Sequence, residues 1–299
     1  MGVVNEVMEL LEQRRISRRA LIRTLGGAAA FGVAGSALTA CGSSGSSGSS
    51  GITDFDILNF ALNLEYLEAE YYLRATTGAG LSAADRGTGA GVITSKANPM
   101  VPFATPAFQQ YANEIAGDEL AHVKLLRGAL GANAVSSPAI DLQASFNAAA
   151  VAAGIGASFD PFASETNFIL GAFIFEDVGV TAYKGAARLI SNKDILETAA
   201  GLLGVEAYHA GEIRTLIYSL GASVQGVAQK ISDLRNAADG PIDDDQGVVV
   251  GGVSNIVPTD ANGLVYSRTT SQVLKIAYLG GTASGGFFPN GLNGTIKVA

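Results

Sequence analysis

One cysteine, two histidines and no tryptophan occur in 299 residues, and 19 basic side chains face 27 acidic ones. A lone Cys41 excludes an internal disulfide framework and any cysteine-built zinc or iron–sulfur site, so metal chemistry has to use oxygen and nitrogen ligands. The shortage of Lys and Arg argues against nucleic acid as a partner, because phosphate binding needs clustered cations to displace counterions. The N-terminal apolar run from Leu25 to Ala37 is short of the roughly 20 residues of a membrane span, and Arg23 interrupts it. Length is not limiting, since a chain of this size can bury a core that outweighs its ordering entropy.

The first forty residues read as an address rather than as part of a fold. The stretch Ser17 to Arg23 (SRRALIR) resembles a twin-arginine export signal built on Arg18 and Arg19, with Leu21 where that pattern more often has Phe. Leu38-Thr39-Ala40-Cys41 resembles a lipoprotein processing site, in which the Cys41 thiol takes the diacylglyceryl group. Gly alternates with pairs of Ser from Gly42 to Gly51, the composition of a flexible tether. The expected organisation is a signal peptide over 1–40, a tether over 41–52, a helical bundle over 53–239 and an extension over 240–299. It implies an exported protein, lipid-anchored to the cell envelope and meeting the membrane through Cys41.

Beyond the tether, apolar residues recur at helical spacing. Asp54 or Asp56 caps a first helix carrying Ile57, Leu58, Ala61, Leu62 and Tyr71 and ending near Ala75. Pro106 suits the first position of a second helix, which Gly131 stops after Leu130. Residues 132–160 form a long crossover with a short helix near 140–153. Asp160-Pro161 opens a third helix that ends near Ile190, Asn192 to Asp194 cap a fourth ending at Leu220, and a shorter fifth spans roughly 223–238. Two short connections and one long one describe an all-α four-helix bundle of the crossover type. The tail beyond Gly240 is irregular, with a short helix at Thr270 to Tyr278, and is expected to wrap the bundle.

Both histidines follow a glutamate by three residues, as Glu119-Leu-Ala-His122 and Glu206-Ala-Tyr-His209. With 13 Glu in the chain, both matches arise by chance in roughly 0.2% of cases, which makes the pattern a signal in its own right. At this spacing carboxylate and imidazole share one helix face and can reach a common ion. Apolar neighbours around each pair turn it inward, where an unpaired carboxylate costs several kcal/mol or more and needs a partner. Glu65 and Glu176 stand on the apolar stripes of the other two helices, each followed seven residues later by a tyrosine, Tyr72 and Tyr183. Glu119, His122 and Arg127 recur 87 positions later as Glu206, His209 and Arg214, so the bundle reads as a duplicated helix pair.

Each assignment has a plainer rival. Glu68, one turn from Glu65, could replace or assist it, although only Glu65 matches the Glu176 and Tyr183 spacing. Glu70 reads as a solvated partner of Arg74. Asp118 and Asp177 are either acceptors for imidazole N–H groups or surface charges. Tyr72, Tyr183 and Tyr208 are more often packing residues. The rival for the whole set is a bundle that has lost its metals, against which the retention of all six side chains counts.

Residues 54–220 resemble the ferritin-like domain of exported bacterial proteins related to the plant desiccation-related proteins. Leu58 to Glu68 (LNFALNLEYLE), Phe175 to Gly179 (FEDVG) and Thr181 to Lys184 (TAYK) carry the resemblance, as do Arg268-Thr269, Gln272 to Ile276 (QVLKI) and Gly286 to Gly294 (GFFPNGLNG) in the tail. It implies a ferritin-like four-helix bundle with a long crossover, a short fifth helix and an irregular C-terminal extension. Four carboxylates and two imidazoles are the ligand set of ferritin-like di-iron and di-manganese proteins, so two iron or manganese ions held by Glu65, Glu119, His122, Glu176, Glu206 and His209 are expected. Ferrous-ion oxidation or consumption of dioxygen or peroxide in stress protection is the leading function. The alternative is a non-catalytic, envelope-anchored desiccation protein with a structural metal site. Divalent metal ions are the expected partners and a homo-oligomer is compatible, whereas the tail and the lipid tether would obstruct a storage shell.

Overall fold

In the computed structural model, which describes residues 51–299, Thr53 rather than an aspartate opens the first helix, α1 (Asp54–Thr77). The Thr53 hydroxyl accepts from the Asp56 backbone N–H and the Asp56 carboxylate accepts from that of Thr53, a reciprocal box that satisfies two otherwise orphaned donors. Asp54 instead reaches across the bundle and accepts from the backbone N–H groups of Ser191 and Asn192. Gly78, at φ 78°, supplies the left-handed residue that ends the helix.

The connection from α1 is not short. It holds a single-turn helix, α2 (Ala83–Arg86), and strand β1 (Ile93–Thr94) before α3 (Pro106–Leu130) begins at its proline. The crossover adds β2 (Ile140–Asp141), which pairs in parallel with β1, and α4 (Ala144–Ala152). Ser164 caps α5 (Glu165–Ala187) through the Asn167 backbone N–H. The expected start at Asp160-Pro161 falls outside the helix because Asp160 forms a turn of its own, accepting from the Phe162 N–H. Asn192 caps α6 (Lys193–Ser219), and α7 (Ala222–Asp239) follows. The tail contributes the hairpin strands β3 (Val249–Val250) and β4 (Val253–Ser254) and α8 (Thr270–Ala277), capped by a second reciprocal box between Thr269 and Gln272.

Helices α1 and α3 form one pair and α5 and α6 the other. Asn59, early in α1, donates to Asn133 just beyond α3, and Val101, ahead of α3, donates to Ala75 late in α1, so this pair is antiparallel. Tyr71 anchors the join between the pairs: its hydroxyl donates to the Phe168 carbonyl at 2.7 Å, and its ring packs on Phe146, Phe162, Phe168 and Phe175. Such aromatic pairs add about 0.5–1.5 kcal/mol each beyond their buried area.

The tail packs on the bundle through buried ions. Arg214 and Arg235 both donate to Asp177, Arg235 also to Asp245, and Arg268 to Asp239, Asp244 and Asp245. Where the tail crosses α5, the Arg268 carbonyl lies so close to Gly185 that a Cβ there would collide with it. No helix among the described residues is long and apolar enough to cross a membrane.

Candidate metal centre

The structure brings Glu65, Glu119, His122, Glu176, Glu206 and His209 together in the middle of the bundle, each buried. His122 Nδ1 lies 3.1 Å from Glu65, 3.4 Å from Glu119 and 3.8 Å from Glu206. His209 Nδ1 lies 3.1 Å from Glu119 and 3.5 Å from Glu176. The imidazole centroids are 6.3 Å apart. Potential ligand atoms gather in three sets, each within 4.8 Å: Glu65 with Glu119, His122 and Glu206; Glu119 with Glu176 and His209; and Glu68 with Glu176 and Glu206. Glu119 and Glu206 therefore stand between two subsites. Glu68 does not replace Glu65; it faces the other subsite as a fifth carboxylate.

Two tyrosines tie the helix pairs together at this level. Tyr72 on α1 donates to Glu176 on α5, and Tyr183 on α5 donates to Glu65 on α1. Burial, and after it the neighbouring carboxylate, push both phenols well above their ordinary range, so they stay protonated as donors. Composition alone favours packing roles for them, but the shared spacing of seven from each glutamate is the signal that marks them in the sequence. The recurrence of Arg127 as Arg214 also acquires a meaning. Arg127 donates to the hydroxyl of Tyr66, and Arg214 to the carboxylate of Asp177, each partner being the residue after a site glutamate.

The flanking acids divide. Asp118, whose side chain is 47% exposed, lies 3.3 Å from His209 Nε2 and is placed to orient that ring. Asp177 touches no imidazole and belongs to the buried ion network. Glu70 is buried rather than solvated, because the turn after α1 folds back over it and it pairs with Arg86 as well as Arg74. Tyr208 is 82% exposed and takes no part. Arg18, Arg19 and Cys41 lie outside the described residues.

Crowding five carboxylates into a space without Lys or Arg has an electrostatic cost. Burial and then the nearby Glu65 charge push Glu119 up to about 7. Burial followed by Glu68 and Glu119 push Glu206 well above its ordinary range. Desolvation opposes charge on His122 and His209, yet the carboxylates overcome it and raise them to about 10 and about 12. Both oxygens of Glu119, both of Glu206, Glu176 Oε2 and His209 Nδ1 are buried without a hydrogen-bond partner. Orphaned buried oxygens converging on imidazole nitrogens fit divalent cations, because two such ions with neutral imidazoles would nearly balance five carboxylates.

Residues 53–219 match the model of the ferritin-like domain family. The chain is 30% identical over 246 residues to the desiccation-related protein PCC13-62 of Craterostigma plantagineum, covering 74% of this chain and 76% of that protein. It is 29% identical over 269 residues to the ferritin-like catalase Nec2 of Nesocodon mauritianus, covering 81% and 84% respectively.

Proposed function

The chain belongs to the ferritin-like domain family, and on that premise we propose that its centre holds two iron or manganese ions and acts as an oxidoreductase. The observation that carries this reading is the set of orphaned carboxylate oxygens around two imidazoles. Glu65, Glu119, His122 and Glu206 would hold one ion, and Glu176, His209 and Glu68, with shared Glu119 and Glu206, the other. When bound, such ions supply electron exchange with dioxygen, peroxide or ferrous iron.

The chain's own residues set the conditions for that chemistry. Tyr72 and Tyr183 fix the Glu176 and Glu65 carboxylates by donating to one oxygen of each, which leaves the other Glu176 oxygen without a partner and the other Glu65 oxygen against His122 Nδ1. Asp118 aligns His209, and the burial of every ligand candidate keeps bulk water away. Peroxide consumption is the favoured activity because one relative is named a ferritin-like catalase. The name of the other relative, a desiccation-related protein, favours a second reading, in which the metals only staple an envelope-bound protective protein. The same proposal includes export under Arg18 and Arg19 and a lipid on Cys41, supported by the sequence motifs alone.

Elemental analysis of protein purified from its native envelope, followed by peroxide and ferrous-ion assays, tests the proposal. About two equivalents of metal per chain are expected, with turnover that vanishes in Glu119→Ala or His209→Ala. Metal well below one equivalent would end the metal reading. Bound metal that lowers the melting temperature on removal, with no turnover, would select the structural alternative.

A further inference from the structure

The two helix pairs are not equivalent at the centre. Three residues after its site glutamate, α1 carries Glu68, whereas α5 carries Gly179. A Cβ at Gly179 would collide with the Glu206 carboxylate and lie 3.5 Å from Glu68 Oε1, so the absent side chain lets Glu206 pack directly against α5 beside Glu68. Glu68 and Gly179 also line a recess at the α1–α5 seam that admits a molecule the size of water. Its helix walls include Leu64, Leu67 and Val178, and its outer wall is the tail, through Val273 and Ala277 of α8 and the ring of Phe287. Leu64 and Ile174 are half-buried at the rim, while Phe287 is held by the rings of Phe146 and Phe175. Glu68 is the one ionisable side chain in this lining.

The geometry points to this recess as the route by which substrate reaches the centre, and to a small uncharged molecule, peroxide or dioxygen, as the class it admits. An apolar passage imposes a far larger desolvation cost on an ion than on a peroxide molecule, and hardly any on a neutral diatomic. A hydrated ferrous ion is therefore a poor traveller here, and the C-terminal extension becomes part of the substrate filter. This inference rests on the two-metal reading above.

Two probes separate the route from that reading. Crystals of the full chain under xenon should show an atom among Leu64, Leu67, Val178 and Val273, independently of metal, and Ala277→Phe should abolish it. In the ferrous-loaded chain, Ala277→Phe should slow association of nitric oxide about tenfold at unchanged iron content. Phe287→Ala, which removes part of the outer wall, should leave association as fast or faster, and it carries the test if the overpacked variant does not fold. Xenon absent from the recess, nitric oxide binding unchanged in a folded Ala277→Phe protein, or association slowed by Phe287→Ala overturns the route. A chain that binds neither iron nor manganese overturns the two-metal reading instead, whatever xenon does.

Discussion

Tyr72 on α1 donates its phenolic proton to Glu176 on α5, and Tyr183 returns the same bond to Glu65. The carboxylate of each helix is thus positioned by the other pair. Groups that orient ligands typically carry about 10–100-fold in metal affinity, so Tyr72→Phe and Tyr183→Phe should each weaken binding on that scale with little loss of fold. Competition with a chelator of known affinity measures it; undiminished affinity in both variants would reduce the phenols to packing groups.

Asp118 touches His209 from a half-exposed position. Water can take over much of its role, so Asp118→Asn should cost less metal affinity than either tyrosine change, under about tenfold. A larger loss in the same titration would show that Asp118 fixes the His209 ring as firmly as the buried phenols fix their carboxylates, without help from water.

Asp177 neutralises two buried guanidinium groups, Arg214 and Arg235. Removing one partner of a buried ion pair strands the others, at a cost of about 3–5 kcal/mol. Asp177→Ala should therefore lower the thermal midpoint sharply in calorimetry, whether or not metal is present. A shift seen only in the metal-loaded protein would assign Asp177 to the centre instead.

Without metal, the folded chain holds protons that the unfolded chain releases. Burial and Glu65 raise Glu119 from 4.5 to about 7, so its contribution to stability falls as pH rises through that window. His122 and His209, raised to about 10 and about 12 by carboxylates that outweigh desolvation, add stability that is complete below 6.5 and disappears on passing those values. Glu65 moves down despite its burial, because His122 lies against it, so its contribution is complete above 4.5 and is lost only as pH falls below that value. Metal displaces these protons, so binding strengthens as pH rises. Between about pH 5 and 9, melting temperatures with chelator should fall while the increment added by metal grows. Parallel curves would exclude exchange of protons for metal at this centre.

Much of this was legible in the sequence because helix punctuation is local. Pro106, Gly131 and Asn192 mark their boundaries where the structure has them, and the Glu-x-x-His pairs declare their shared face by spacing alone. What escaped reading depends on contacts between distant segments. The side chain of Glu70 looks solvated until the turn after α1 folds over it, and Asp177 looks like a ligand's neighbour until Arg235 and Arg214 converge on it. Asp160-Pro161 failed as a helix start because its own turn competes with the Ser164 cap four residues on.

The single glycine at 179 also breaks the sameness of the two halves. With Glu68 on one side and no counterpart on the other, an ion beside His209 would sit in the deeper negative potential. Loading should then proceed in a fixed sequence, that end first, and calorimetric titration should resolve two unequal steps. A repeat that lost one side chain would in this way have acquired a direction.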